Sequence, residues 1–174
     1  MKLLYIGCFC EPSTEHLIGS RTRITISTTT FQKALLQGFK GLGNKLDYIV
    51  NVPDIGSFPM RCSNLFFPRS EFEYASMKGV NGAFINFTYI KKYSIYHSII
   101  KEASKWLDSH SEEKVTILVY SMIHSYLKAA IDLKHRYPNV KVSCIVLDLP
   151  EYFGDNTSFL YRVYSKVTTN RIYT

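Results

Sequence analysis

The chain has 174 residues, close to the size of one ordinary domain, and 46% of them are hydrophobic. This composition is sufficient for a buried core without disulfide or metal staples, and it excludes disordered, collagen-like and disulfide-scaffold chains. Twenty-one Lys and Arg residues against 14 Asp and Glu residues give a net charge of +7, and the absence of any run of about 18 apolar residues argues against a membrane-spanning protein.

The first residues carry one positive charge and a short apolar run, as a secretory signal peptide does. However, the run soon meets Glu11, Glu15 and His16, and no small-residue cleavage site follows at a suitable distance. The cysteines are scattered without a disulfide framework, at Cys8, Cys10, Cys62 and Cys144. We therefore expect a first strand here and a cytoplasmic protein.

Short apolar segments rich in Val, Ile, Phe and Tyr predict five strands. Their nearly continuous hydrophobicity is typical of strands that are covered on both faces, as in a parallel sheet. The predicted strands are Lys2–Ile6, Leu46–Val52, Gly82–Phe87, Val115–Tyr120 and Val140–Leu147.

Helical patterns lie between these strands. Apolar spacing predicts a first helix over Phe31–Leu42, with Ser27–Thr30 as its N-cap cluster. Two more helices are predicted around Ile95–Leu107 and Met122–Tyr137, and a fourth begins near Asn156. The alternation of strand and helix predicts an α/β domain with a mainly parallel sheet.

Two segments depart from this alternation. Pro53–Gly79 is long, contains three prolines and carries the apolar patch Leu65-Phe66-Phe67, so we expect it to have a function or a partner. Residues 156–174 contain three positive charges and no negative one. We interpret residues 1–155 as one domain and residues 156–174 as a basic helical tail that begins a connection to a second domain.

Ligands bind to sheets of this class beyond the carboxyl ends of the strands. The loop after the first strand lacks the glycine pattern of a dinucleotide or ATP site. Its candidate binding residues are Gly7, Gly19, Ser20 and Arg21. Arg21 could meet an anion near a helix start, or it could simply be solvated. Cys8-x-Cys10 lacks the additional ligands that zinc needs, so we expect no metal and no cofactor.

The loops after the later strands carry further candidates. His124 follows Ser121 in the first turn of the third helix, where the helix dipole disfavours the imidazolium and leaves a neutral partner or base. A surface or capping histidine is the alternative. Asp148 and Glu151 follow the fifth strand, where they could bind sugar hydroxyls, Asp148 could act as a base, or Asp148 could stabilise a turn. Asn86 lies on the same rim, at the end of the third predicted strand.

The basic excess needs an explanation of its own. Nucleic-acid binding proteins cluster Lys and Arg beside stacking aromatic residues, and Lys91-Lys92 between Tyr89 and Tyr93 is only a small cluster. We therefore expect no nucleic-acid partner. Attraction to anionic lipid head groups fits a basic, aromatic-rich domain better, and charge that serves only solubility is the alternative.

The opening strand Lys2–Gly7, the long loop after it and the Thr-rich helix start resemble the N-terminal domain of GT-B-fold glycosyltransferases. Asn51-Val52-Pro53, Val119-Tyr120-Ser121 and Val146–Glu151 follow in similar order and spacing. The resemblance is greatest to bacterial retaining enzymes that build capsule, exopolysaccharide or lipid-linked glycans.

The resemblance implies a Rossmann-like domain, with helices on both faces of the sheet, that binds a glycan or lipid-linked acceptor at the inner membrane face. A C-terminal domain would hold the nucleotide-sugar donor, and its pair of glutamates eight positions apart is absent here. His124 would be the catalytic residue, near the transferred sugar, and this chain alone would be inactive. Two alternatives stay open: a stand-alone nucleotide-binding module, and a membrane-associated subunit that activates a separate transferase.

Overall fold

A computed structural model describes residues 1–11, 26–41, 46–120 and 123–146. Within these ranges the chain forms eight strands and three helices. The strands are β1 (Lys2–Gly7), β2 (Tyr48–Asn51), β3 (Phe66–Phe67), β4 (Ser70–Tyr74), β5 (Met77–Asn81), β6 (Phe84–Ile85), β7 (Val115–Tyr120) and β8 (Val140–Ile145). The helices are α1 (Ile26–Gly41), α2 (Lys91–Asp108) and α3 (His124–Arg136).

Six strands form one mixed sheet in the order β4-β5-β2-β1-β7-β8. Strand β1 pairs in parallel with both β2 and β7, and β5 and β8 extend the parallel set on either side. Strand β4 pairs antiparallel with β5 through a two-residue turn, in which Ala75 and Ser76 have positive φ angles of 53° and 65°. The predicted α/β domain with a mainly parallel sheet is confirmed.

Helices cover both faces of this sheet. Side chains alternate along β1, so Leu4 and Tyr5 point to opposite faces. On one face, the Tyr5 hydroxyl donates a hydrogen bond to Gln32 of α1 at 3.0 Å. On the other face, Tyr48 is the register partner of Leu4 and stacks on Trp106 of α2, with ring centroids 6.0 Å apart. Helix α3 packs beside α2 and contacts β7 and β8.

The predicted third strand, Gly82–Phe87, contains the short strand β6, but its predicted place in the parallel sheet is wrong. The central sheet uses β5 instead, while β6 pairs antiparallel with β3 in a separate two-stranded sheet. Segment Pro53–Gly79 therefore contains β3, β4 and the beginning of β5. Strand β5 packs closely against β4, because a Cβ added at Gly79 would lie 2.6 Å from the Phe72 ring. Hydrophobicity alone did not distinguish these neighbouring apolar segments.

The predicted apolar face of the first helix is right only in part, since Leu35 packs against the core but the fully buried positions differ. Phe31 is exposed, whereas Gln32 and Leu36 are buried. The predicted N-cap residues Ser27–Thr30 lie within the helix, because α1 begins at Ile26. The physical reason for the rotated face is Gln32, whose amide satisfies polar groups at the end of β1.

The other two described helices agree with the prediction. Helix α2 buries Ile95, Ile99 and Leu107, and α3 buries Tyr126 and Leu133. None of the described helices is both long enough and apolar enough to cross a membrane. The predicted helix near residue 156 and the predicted tail lie outside the described residues.

Candidate functional site

The order of the strands reverses between β1 and β7. From β1 the chain proceeds to β2 and β5 on one side, and it later forms β7 and β8 on the other side. Loops that diverge at such a point leave a crevice beyond the carboxyl ends of the two strands. The described residues nearest this point are 8–11, which follow β1, and the first turn of α3. We define this region as the candidate site.

Gly7 ends β1 and packs closely against protein atoms. A Cβ at this position would lie 2.7 Å from Cε1 of Tyr5 and 2.9 Å from Oε1 of Gln32, so a larger residue requires these groups to move. The Gly7 carbonyl accepts a hydrogen bond from the Val52 amide at 3.1 Å. Gly7 thus lies at the predicted rim, where its small size allows α1 to approach the strand.

Gln32 of α1 holds the residue that follows Gly7. Its Oε1 accepts hydrogen bonds from the Cys8 amide and the Tyr5 hydroxyl, both at 3.0 Å. Its Nε2 donates to Cys8 Sγ and to the Thr28 carbonyl, both at 3.3 Å. Gln32 is fully buried, so water does not compete for these bonds. Gln32 was not predicted as a site residue, because its only signal in the sequence is a polar side chain next to an apolar helix stripe.

Asn51, the last residue of β2, holds the next residue of the same loop. Its Oδ1 accepts from the Phe9 amide at 3.0 Å, and its Nδ2 donates to the Phe9 carbonyl at 2.8 Å. The same Nδ2 donates to Asn81 Oδ1 at 2.7 Å, and Asn81 donates onward to Ser70 Oγ at 3.1 Å. These amides connect the ends of β1, β2 and β5. Asn51 was not predicted as a site residue, although an asparagine at the end of an apolar strand indicates a buried polar group that needs partners.

The thiol of Cys8 is not activated as a nucleophile. Burial raises the pKa of Cys8 to about 12, so Cys8 carries its proton at neutral pH. Within the described ranges, no group of three or more His, Cys, Asp or Glu side chains has an arrangement suited to a metal ion.

His124 is the first residue of α3, on the β7 side of the candidate site. Its Nδ1 is buried and has no hydrogen-bond partner within the described part of the chain. Burial lowers the pKa of His124, and the positive charges of Lys92 and Lys128 lower it further. The imidazole is therefore mainly neutral at pH 7, and it can exchange a hydrogen bond or a proton with a ligand hydroxyl.

The start of α3 is anchored to the end of β2. The hydroxyl of Tyr126, which is fully buried, donates to the Val52 carbonyl at 2.5 Å. Ser125 is also buried, and its Oγ has no hydrogen-bond partner among the described residues. The first turn of α3 therefore combines an anchored backbone with two buried polar side-chain atoms that have no hydrogen-bond partner among the described residues.

Asp54 and Lys91 place opposite charges near the same edge of the sheet. The Asp54 amide donates to the Cys8 carbonyl at 2.9 Å, and Lys91 Nζ donates to the Ile55 carbonyl. Burial raises the pKa of Asp54, although the charge of Lys91 opposes this shift. Burial likewise lowers the pKa of Lys91, against the effect of Asp54. Sequence reasoning considered neither residue as part of a site.

The shifted pKa of Asp54 predicts a pH-dependent effect of Asp54→Asn. Because the pKa is higher in the folded chain than its ordinary value of 3.8, folded-state stability falls as the pH rises from 3.8 through the folded pKa. Asparagine cannot ionise and avoids this loss. We expect the urea midpoint of Asp54→Asn to exceed that of the wild-type protein at pH 7, and the two midpoints to converge near pH 3.

Asp132→Asn is a control of opposite sign. Burial raises the pKa of Asp132, but hydrogen bonds from Lys128 and Tyr96 outweigh burial and lower it. Its ionised form stabilises the fold above pH 3.8, and that stabilisation is lost as the pH falls through the folded pKa. We expect Asp132→Asn to lower the urea midpoint at pH 7. A lower midpoint for Asp54→Asn at pH 7 would contradict the assignment of Asp54.

Asn86 lies with the two-stranded sheet rather than at the end of a central strand. It is fully buried, and its Nδ2 donates to the carbonyls of Gly56 at 2.9 Å and Asn64 at 3.2 Å. Its Oδ1 is buried without a hydrogen-bond partner among the described residues. The observed contacts of Asn86 therefore connect two loops of the segment that follows β2.

The structure brings two of the predicted site residues, Gly7 and His124, to the ends of adjacent strands. Of the other predicted site residues, Asn86 lies away from this edge, with the two-stranded sheet. The remaining six lie outside the described residues: Gly19, Ser20, Arg21, Ser121, Asp148 and Glu151. Comparisons with protein-family models, curated proteins and solved structures find no match. The functional interpretation therefore depends on the strand order and on the geometry at this edge.

Proposed function

We propose that this chain is the N-terminal, acceptor-binding part of a glycosyltransferase that moves a sugar from a nucleotide sugar to a glycan or lipid-linked acceptor. The observation that carries the proposal is the order of the parallel strands, β5-β2-β1-β7-β8. Numbered along the chain, these strands stand third, second, first, fourth and fifth, which is the order of a Rossmann-like sheet. This order supports the resemblance to GT-B domains.

The proposed catalytic residue is His124. Its neutral imidazole, with Nδ1 lacking a hydrogen-bond partner in the described structure, is suited to orient a sugar hydroxyl beside the reacting bond. Gln32 and Asn51 hold the loop after β1, the strand that pairs with β7, which supports a role in positioning the substrate. Correct orientation of two reactants accounts for a large part of the rate in transfer reactions.

The remaining predicted contacts are part of the same proposal. Gly7 would border the donor's diphosphate, whereas Asn86, which bonds to loops beside the two-stranded sheet, would support those loops. The other proposed substrate-binding residues are Gly19, Ser20, Arg21, Ser121, Asp148 and Glu151. A second domain would hold the nucleotide sugar, and the enzyme would work at an anionic membrane surface. Under this proposal, the chain by itself does not transfer sugar and binds nucleotides weakly.

A ligand titration of the full chain tests this function. We expect an acceptor probe, either maltotriose as a glycan or farnesyl phosphate as a lipid phosphate, to shift the NMR amide signals of Cys8–Cys10 and Ile123–Tyr126. Because His124 is proposed to contact the ligand, His124→Ala should raise the Kd at least about tenfold, equivalent to one lost hydrogen bond. His135→Ala is the matched control, since His135 is exposed in the last turn of the same helix.

Three results would contradict the proposal. Binding of UDP, GDP or UDP-glucose at micromolar concentration would favour the stand-alone nucleotide-binding module. Release of nucleotide from UDP-glucose with sugar transfer by this chain alone would show that it contains the donor site. If neither acceptor probe shifts the signals at this edge, the assignment of the acceptor site is wrong.

A further inference from the structure

The two-stranded sheet formed by β3 and β6 is apolar on both of its faces. Phe67 and Phe84 are buried and stack with ring centroids 5.0 Å apart. Their neighbours Phe66 and Ile85 are paired in register and point to the opposite face, where they are 56% and 39% exposed. A sheet with one solvated face normally alternates apolar with polar side chains. Folding of the described residues does not explain the exposed apolar face.

This face continues into neighbouring exposed side chains. Eight of the thirteen large apolar side chains that are exposed in the described structure lie between residues 60 and 93. They form what we call the β3–β6 surface: Met60, Leu65, Phe66, Ile85, Phe87, Tyr89, Ile90 and Tyr93. Several of these side chains are neighbours: Phe66 pairs with Ile85, and Ile85, Ile90 and Tyr93 line one groove. Phe87 and Tyr89 have ring centroids 5.7 Å apart.

The segments that carry this surface are positively charged. Residues 55–70 and 82–101 contain five cationic side chains and no Asp or Glu. The cations are Arg61, Arg69, Lys91, Lys92 and Lys101. The acidic groups that approach from outside these segments include Glu71 and Glu102, both of which are paired with Arg69, and Asp54, which interacts with Lys91. Exposed apolar side chains thus lie among cations.

The β3–β6 surface includes a groove that is large enough for part of a lipid molecule. It has a volume of about 580 Å³ and lies between β6 and α2. Its apolar lining includes Ile85, Ile90 and Tyr93, and Lys101 contributes positive charge, while Arg69 and Glu102 of the same lining pair with each other at 3.1 Å. This arrangement is suited to an amphiphile whose head group is anionic.

We propose that the β3–β6 surface docks on a bilayer that contains anionic phospholipids. Apolar side chains enter the boundary between head groups and acyl chains, and the surrounding cations contact the head groups. Tyr89 and Tyr93 are 87% and 69% exposed, and tyrosine suits this boundary because its ring is apolar and its hydroxyl is polar. The inference deepens the membrane part of the proposed function by naming the surface that docks, and it does not require the chain to transfer sugar.

Vesicle sedimentation with the full chain tests the proposal. We expect binding to phosphatidylcholine vesicles that contain roughly 30 mol% phosphatidylglycerol, and at least tenfold weaker partitioning to pure phosphatidylcholine. Raising the salt from about 0.1 M to about 1 M should weaken binding to the anionic vesicles, because it screens the cations. Phe66→Ser/Tyr89→Ser should reduce partitioning at least tenfold by removing apolar contacts. Arg61→Gln/Lys101→Gln should do the same, since each cation contributes about fivefold.

Matched controls keep the test specific to this surface. Ile131→Ser and Lys134→Gln change an exposed apolar residue and an exposed cation on α3, and both should bind like the wild-type protein. His124→Ala should also bind like wild type, which separates membrane docking from the proposed sugar transfer. Equal binding to neutral and anionic vesicles, or unchanged binding by both double variants, would overturn the proposal. So would a dimer of the wild-type chain that the Phe66→Ser/Tyr89→Ser substitution dissociates, because the surface would then bind a second copy.

Discussion

Replacing Gln32 with leucine lowers the free energy of unfolding by about 3 kcal/mol. Leucine has a similar size but offers no hydrogen bonds, so the buried Cys8 amide and Tyr5 hydroxyl lose the acceptor that lies 3.0 Å from each. A buried polar group left without a partner costs about 1–3 kcal/mol. The loss is a large part of the 5–15 kcal/mol that stabilises a typical domain.

Gln37→Leu is the matched control for Gln32. Gln37 lies on the same helix, but it is exposed and its Nε2 donates only one bond, to the Tyr74 hydroxyl at 3.3 Å. We expect this control to change stability by less than about 0.5 kcal/mol. Urea denaturation followed by circular dichroism measures both variants. Equal losses would show that Gln32 does not support the loop after β1.

Replacing Asn51 with leucine should destabilise the fold by about 3–5 kcal/mol, the largest effect that we expect. The substitution leaves three buried groups without their partner: the amide and carbonyl of Phe9, and Oδ1 of Asn81. Asn51 is fully buried, so water cannot replace the lost bonds without opening the sheet edge.

Asn139→Leu is the control for Asn51. The Asn139 amide also donates two hydrogen bonds, to the carbonyls of His110 and Glu113, but it lies at a surface turn. Water can satisfy those carbonyls, so we expect a loss of about 1 kcal/mol or less. Hydrogen exchange gives a second readout, in which the Phe9 amide loses protection in Asn51→Leu but not in Asn139→Leu. Retained protection would contradict the role of Asn51.

These two substitutions act on one structural unit. Gln32 reaches the loop after β1 from the helix on one face of the sheet, and Asn51 reaches it from the neighbouring strand. Two adjacent residues, Cys8 and Phe9, are therefore held by side chains distant in sequence. The rigidity of the candidate site on its β1 side comes from these buried amides.

Local periodicity predicted the elements that bury a simple apolar stripe or run. The predicted strand Val115–Tyr120 has the observed bounds of β7, and the predicted faces of α2 and α3 contain Ile99 and Leu133, which are buried. Periodicity failed for α1, because a buried glutamine takes the position of an apolar residue. It also failed at Gly82–Phe87, where two short apolar segments compete for one place in the sheet.

The candidate site was predicted only in part, because several of its contacts join residues that are distant in the sequence. The position of His124 after a strand marked it from sequence, and the helix start predicted its neutral form. In the structure, burial and the charges of two lysines lower the pKa of His124, which also favours the neutral form. Asp54 and Lys91 could not be paired from sequence, because their separation along the chain carries no information about their distance in the fold.

The sequence by itself determined the α/β class, the alternation of strands and helices, and the positive charge, because each depends on composition or on near neighbours along the chain. Only the tertiary structure decided the order of the strands, the buried amides behind the loop after β1, and the exposure of Phe66 and Ile85. Phe66 and Phe67 are identical side chains in adjacent positions, and pairing with β6 turns one outward and one into the core. Such differences arise from contacts between distant segments, which no local pattern encodes.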